Sequence, residues 1–124
     1  ANVQHLVSQV TGELVDRKDG LDALQALFPG GSITGCPKTV VCAAIDELEQ
    51  NPRSFWTGSM GWIDVHSGDS TWNIMIRTLE ARYSTEGWEG SVVAGGGITI
   101  ESNPEAEVAE AIWKAAAYVV RVGG

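Results

Sequence analysis

The chain has 124 residues, of which 44% are hydrophobic and 19% are charged, and its formal net charge is −8. This composition is typical of a globular domain with a core of its own. The acidic balance excludes the basic surface by which proteins bind nucleic acids or anionic membranes, and no apolar run of about 18 residues is present to span a bilayer.

The first half of the chain predicts one strand and two helices. Apolar and polar residues alternate over residues 3–10, which predicts a strand. Asp19 is the predicted N-cap of a short helix, and a glycine-rich loop follows at residues 28–35. Pro37 suits the first position of a second helix, which is expected to end near residues 51–52.

Two cysteines, Cys36 and Cys42, lie around the start of this second helix. Their spacing fits neither a disulfide framework nor a zinc site, so we expect a reduced, cytoplasmic protein. The chain starts without Met and already within alternating apolar sequence. We therefore expect it to be a piece of a longer protein.

The second half predicts antiparallel strands. Two apolar segments, residues 54–65 and 70–81, flank a turn signal at 66–69 and indicate a hairpin. A second turn at 84–87 leads into another apolar segment. These segments predict a three-stranded antiparallel meander.

The last helix has the clearest start signal in the chain. Ser102 or Asn103 is the predicted N-cap, Pro104 lies near the first helical position, and Glu105 is spaced for a capping box with Ser102. Residues 1–124 are thus expected to form one α+β unit, in which an antiparallel sheet meander is flanked by helices.

The predicted hairpin places an arginine in an apolar setting. If Ser67 and Gly68 form the turn, Arg77 lies opposite Gly58, on the face that also carries Trp56. A guanidinium in such a place can bind an anion through two parallel hydrogen bonds. The alternative is an edge arginine that extends its charged group to water.

Three glycines, Gly95–Gly97, precede a helix face that carries Glu107, Glu110 and Lys114. Glycines of this kind allow a ligand to approach the backbone closely. Two carboxylates one helical turn apart can share a Mg²⁺ ion with substrate oxygens. The alternative is an exposed salt pair between Glu110 and Lys114.

Five segments in order resemble the carboxy-terminal part of the chorismate-binding enzymes, a family that includes the anthranilate, aminodeoxychorismate, isochorismate and salicylate synthases. They are "VQHLVSQVTGEL", "FPGGSITGCPK", "WTGSMGW", "NIMIRTL" and "AGGGITIESNPEAEVAEAIWK". Within the family, the double glycine before Ser-Ile-Thr-Gly, the Trp at position 56 and the Gly-Gly-Gly sequence look most like the aminodeoxychorismate synthases.

The resemblance implies a role for each of these residues. Glu107 and Glu110 match the pair that binds Mg²⁺, and His5 matches a catalytic histidine near the substrate ring. The residues that match substrate-binding positions are Ser32, Trp56, Arg77, Gly95, Gly96, Gly97 and Lys114.

The resemblance also implies partners that this chain does not contain. The substrate is chorismate, a separate glutamine amidotransferase subunit supplies ammonia, and the amino-terminal portion of the enzyme carries a lysine nucleophile and other metal ligands. Two other functions compete with amination of chorismate. One is anthranilate synthesis on the same fold, and the other is a non-catalytic acidic module that binds a partner through its Trp-rich hairpin.

Overall fold

A computed structural model describes residues 6–122, except for the side chains of residue 117 and of residues 119–122. Helices and antiparallel strand pairs alternate in blocks along the chain, which confirms the α+β class. The elements in chain order are α1 (Gly20–Leu27), α2 (Gly31–Thr34), α3 (Lys38–Leu48), β1 (Ser59–Ile63), β2 (Ser70–Ile74), β3 (Leu79–Ser84), β4 (Gly87–Val92) and α4 (Pro104–Val122).

The strand predicted at residues 3–10 is not formed over the part that the structure describes. Residues 6–10 have no regular secondary structure, and their side chains are exposed. A strand is stable only when a neighbouring strand or helix covers it. The described residues offer no such neighbour to this segment, so its alternation alone does not fold it.

The helix starts follow the local signals closely. The Asp19 carboxylate accepts the N–H groups of Leu21 and Asp22 at 2.8 and 3.0 Å, and the Asp22 carboxylate accepts the Asp19 N–H at 3.1 Å. This capping box confirms Asp19 as the N-cap of α1. Pro37 is the N-cap of α3 and not its first residue, and the glycine-rich loop contains the single helical turn of α2.

The predicted meander is replaced by two separate hairpins, β1–β2 and β3–β4. The strand expected over 70–81 breaks at residues 75–78, where Arg77 has a φ of +52° and the Ile76 N–H bonds the Ile74 carbonyl two residues back at 3.0 Å. A left-handed residue and a turn of this kind cannot continue a pleated strand.

The first hairpin has a longer loop than the two-residue turn expected at Ser67–Gly68. Asp64 pairs with Asp69, so residues 65–68 form the loop, and the Asp64 carboxylate accepts the N–H groups of His66 and Ser67. These two hydrogen bonds lower the pKa of Asp64. The register therefore shifts by two, and Met75 lies opposite Gly58 where Arg77 was expected. A shift of two keeps every side chain on its predicted face.

The second hairpin has one apolar and one polar face. Leu79, Ala81 and Tyr83 alternate with polar residues along β3, and Trp88 and Val92 pair with them on the same face of β4. The Tyr83 and Trp88 rings are 5.3 Å apart between centroids. Both rings are still about 70% exposed. An antiparallel sheet of this pattern is built to pack one face against a core.

The start of α4 differs from the predicted capping box. Asn103 is the cap, since its side-chain oxygen accepts the Ala106 N–H at 2.9 Å. The Ser102 hydroxyl donates instead to Glu107 at 2.8 Å, so the expected pairing of Ser102 with Glu105 is wrong. The helix presents exposed Val108 and Ile112 one turn apart. None of the helices described is both long and apolar enough to cross a membrane.

No residue whose burial the structure describes is fully buried, and the accessible surface of the chain is 11058 Å². A compact monomer of 13.2 kDa exposes only about 6,400 Å². The elements are therefore formed but not folded over one another. The hydrophobic faces of β3–β4 and α4 are exposed.

We predict that the isolated chain self-associates through these faces. Large exposed apolar patches and open strand edges favour association. Trp88→Glu should lower the association constant, because it places a charge on the apolar face of β4. Sedimentation of the purified chain over a range of concentrations measures the effect.

Ser91→Glu is the matched control, since it adds the same charge to the polar face of the same strand. Its association constant should remain close to that of the parent chain. A chain that stays monomeric and unfolds in one cooperative transition contradicts the prediction.

Candidate functional site

The acidic face of α4 lies against the glycine segment, which we define as Gly95–Gly97. A Cβ atom at Gly96 would lie 2.9 Å from Glu107 Oε2 and 3.9 Å from both Glu110 Oε1 and Lys114 Nζ. Three charged side chains thus lie around the position that a Cβ atom would take at Gly96. A side chain at residue 96 would displace the Glu107 carboxylate, which is the flexible end of its side chain, so glycine suits this close approach best.

Each charged group is held by a neighbour. Ser102 donates its hydroxyl hydrogen to Glu107 Oε1 at 2.8 Å. Lys114 Nζ lies 2.5 Å from Glu110 Oε1 and also donates to the Gly95 carbonyl at 3.1 Å. The lysine is about three-quarters covered. It therefore ties the acidic helix to the glycine segment, a more specific role than that of an exposed salt pair.

The two carboxylates fit part of a magnesium site. Carboxylate oxygens are the protein ligands that Mg²⁺ prefers, and the ion usually keeps waters and substrate oxygens in its other positions. Within the described part of the chain, no group of three or more His, Cys, Asp or Glu side chains comes together to hold a metal. Glu107 and Glu110 could supply two of the ligands of such an ion.

Trp56 reaches the same glycine segment from the loop after α3. Its ring carbons Cη2 and Cζ2 lie 3.1 and 3.3 Å from the position that a Cβ would take at Gly95. The guanidinium of Arg53 lies over the ring, 5.0 Å from its centroid. The structure thus brings Trp56 to the site, together with Gly95, Gly96 and the three charged residues of α4.

Arg77 does not have the neighbours that the sequence predicted. It follows the end of β2 in a left-handed conformation and is exposed, and it forms no ion pair with the residues described. The guanidinium is therefore available to an anion, but Gly58 is not its cross-strand partner.

The other predicted residues lie outside this cluster. Ser32 is exposed on α2, and nothing lies within 4 Å of the position that a Cβ would occupy at Gly97. His5 lies outside the described residues. Ser102 was expected to act only as a helix cap, and its role as a partner of Glu107 depends on how the loop before α4 folds.

A family model described as "chorismate binding enzyme" matches residues 1–119. The chain belongs to the chorismate-binding enzyme family. It is 46% identical to aminodeoxychorismate synthase component 1 of Salmonella typhimurium over 87% of its length, and 43% identical to the protein of that name from Bacillus subtilis over 93%. It is 40% identical to anthranilate synthase component 1 of Thermococcus kodakarensis over 99%.

This chain spans about a quarter of the length of those relatives, between 23% and 27%. Relatives named aminodeoxychorismate synthase and relatives named anthranilate synthase match this chain at similar identity. The comparisons therefore give the family and not the individual reaction. The open apolar faces agree with this difference in length, because the relatives have much more chain to cover them.

We predict that Glu107→Gln and Glu110→Gln, each made in the full-length enzyme that contains this chain, raise the Mg²⁺ concentration needed for half-maximal activity. Loss of a charged partner costs about 1.5–3 kcal/mol, which corresponds to a change of about tenfold or more. Titration of activity with Mg²⁺ measures the shift.

The control is Glu105→Gln, which removes the same charge from the first turn of α4 outside the described cluster. It should leave the titration within about twofold of the parent, because the cluster around Gly96 does not include it. Equal shifts for all three variants would mean that only the total charge of the helix matters.

Proposed function

We propose that this chain is the carboxy-terminal part of an aminodeoxychorismate synthase component I, which aminates chorismate to 4-amino-4-deoxychorismate with Mg²⁺. The observation that carries the proposal is the convergence of Glu107, Glu110 and Lys114 on the bare backbone of Gly96. Two carboxylates beside an open glycine segment are suited to a cation and an anionic substrate together.

The chain's own residues would bind and orient the substrate. The exposed guanidinium of Arg77 is suited to a carboxylate, which it can grip with two hydrogen bonds. The glycine segment lets a substrate carboxylate approach backbone N–H groups. When bound between Glu107 and Glu110, Mg²⁺ would neutralise negative charge on the substrate and on the departing 4-hydroxyl.

The balance of the reaction assigns the remaining work to other parts of the enzyme. Ammonia replaces the 4-hydroxyl of chorismate, and water leaves. We place the nucleophile and the acid and base groups in the amino-terminal part of the enzyme, and the ammonia source in a glutamine amidotransferase subunit. Under this proposal His5 has no essential duty, because amination alone does not release pyruvate.

The exposed apolar faces support the proposal that this piece works only within the longer enzyme. Tyr83 and Trp88 on one hairpin and Val108 and Ile112 on α4 are all more than half exposed. The missing portion of a protein four times as long is the natural cover for them. We place the enzyme in the cytoplasm, in agreement with the two free cysteines.

Anthranilate synthesis is the second candidate, and relatives of that name at 40–43% identity favour it. It differs by a further step in which pyruvate leaves and the ring becomes aromatic. His5 would then be an acid or base near the ring. A non-catalytic acidic module is the candidate of another class, and it requires neither Mg²⁺ nor Arg77.

We predict that the full-length enzyme, given chorismate, ammonia and Mg²⁺, accumulates aminodeoxychorismate. The amination should leave the enolpyruvyl group intact, so the product retains that side chain in a mass spectrum. Release of anthranilate and pyruvate would favour the second candidate. Absence of any turnover or Mg²⁺-dependent chorismate binding would favour the non-catalytic module.

We predict that Arg77→Ala in the full-length enzyme raises the KM for chorismate by about tenfold or more, since a charged hydrogen-bonding partner is lost. Arg77→Lys should restore little, because an ammonium group cannot form the two-pronged contact. Steady-state kinetics of the three proteins give the answer. Complete rescue by lysine would mean that charge alone is needed.

Arg82→Ala serves as the matched control for charge. Arg82 lies on the polar face of β3 and is exposed, and it is not part of the cluster around Gly96. Its removal should change the KM by less than about twofold. A similar rise for both variants would show a general electrostatic effect of positive charge on the substrate.

A further inference from the structure

Trp56 lies where the loop after α3 meets the glycine segment. Its outermost ring carbons lie 3.1 and 3.3 Å from the position that a Cβ atom would take at Gly95. A phenylalanine ring at residue 56 is shorter and would not reach so far. The indole therefore sets how closely the loop after α3 and the glycine segment can approach.

The face of the indole is already occupied by a protein group. The Arg53 guanidinium lies 5.0 Å from the ring centroid, at the distance of a cation–π contact. Two hydrogen bonds hold this guanidinium to Glu49, from Nε at 2.8 Å and from Nη2 at 2.5 Å. These bonds lower the pKa of Glu49, so the carboxylate remains charged and the pair persists at neutral pH.

Glu80 fixes the loop that carries Trp56. Its carboxylate accepts the Phe55 N–H and the Ser54 hydroxyl, each at 3.0 Å. Ser54 and Thr57 have φ values of +52° and +67°, a left-handed conformation that costs free energy for residues other than glycine. A loop with strained residues on both sides of Trp56 keeps its shape only where contacts such as these hold it.

Gly95 is also linked directly to the charged cluster around Gly96. The Gly95 carbonyl that lies beside Trp56 accepts a hydrogen bond from Lys114 at 3.1 Å, and Lys114 pairs with Glu110. Gly95 thus links the indole to the charged side chains around Gly96. A displacement of Gly95 must move the lysine or break its hydrogen bond.

We propose that Trp56 is a positioning residue, which holds the glycine segment at the distance from α4 that lets Glu107, Glu110 and Lys114 converge on Gly96. Arg53 and Glu80 in turn position Trp56. Its effect on chorismate rests on the function proposed above. This role differs from the direct substrate contact that the family resemblance implies.

A larger residue at Gly95 combined with a smaller ring at Trp56 tests the proposal in the full-length enzyme. Neither Gly95 nor Gly97 has a positive φ, so alanine is compatible with the backbone at both. Gly95→Ala should raise the half-maximal Mg²⁺ concentration by about tenfold, because overpacking against Trp56 displaces the glycine segment from its present position beside α4. Adding Trp56→Phe should bring the value back to within about threefold of the parent.

The matched control is Gly97→Ala with and without Trp56→Phe. No atom lies within 4 Å of a Cβ at Gly97, so Trp56→Phe should not rescue any defect of that variant. Rescue specific to Gly95 supports the positioning role. Additive losses at Gly95 and Trp56 would overturn it, since two direct substrate contacts behave independently.

A readout without substrate separates this inference from the proposed function. The unfolding midpoints of the parent, the two single variants and the double variant form a cycle, and Trp56→Phe should make Gly95→Ala less destabilising. Additive midpoints would overturn the inference even if chorismate is consumed. A coupled cycle in an enzyme that ignores chorismate would support the positioning role and count against the proposed function.

The supporting residues have their own test. Glu80→Ala removes the acceptor of both hydrogen bonds, and Arg53→Lys loses the two-pronged contact with Glu49. Both should raise the half-maximal Mg²⁺ concentration, because Trp56 is then held less firmly, with KM affected more than kcat. Unchanged titrations for both would show that Trp56 is held without them, which contradicts the proposed chain of contacts.

Discussion

The close approach of the Gly96 backbone to the Glu107 carboxylate is the contact on which the site depends. A side chain at residue 96 would push this carboxylate aside, and Glu110 and Lys114 lie near the same point. Ser102 and the Gly95 carbonyl then orient the charged groups. The chemistry of the site therefore follows from a backbone that is left bare beside a helix of concentrated charge.

The parts of this structure that the sequence predicts are those that local interactions decide. Asp19 caps α1 and Pro104 begins α4 because the required partners lie within four residues. The three charged residues of α4 share a face for the same reason, since helical spacing alone sets it. What fails is the part that needs distant partners, namely the described part of the strand at 3–10, the joining of the strands into one meander and the partner of Arg77.

The contact between Trp56 and Gly95 could not be predicted, because two residues 39 positions apart leave no periodic signal. The accessible surface of the chain shows how open it is. A surface of 11058 Å² means that contacts between elements are few, so each one that is present has a large influence on the geometry.

The left-handed conformation of Arg77 has a consequence for engineering. A non-glycine residue at a φ of +52° costs about 1–2 kcal/mol, and glycine would relieve most of it. A directed-evolution campaign scored on heat survival alone would thus enrich Arg77→Gly, which removes the guanidinium proposed above to bind the substrate. Selection for thermal tolerance in this enzyme must therefore be coupled to turnover in every round.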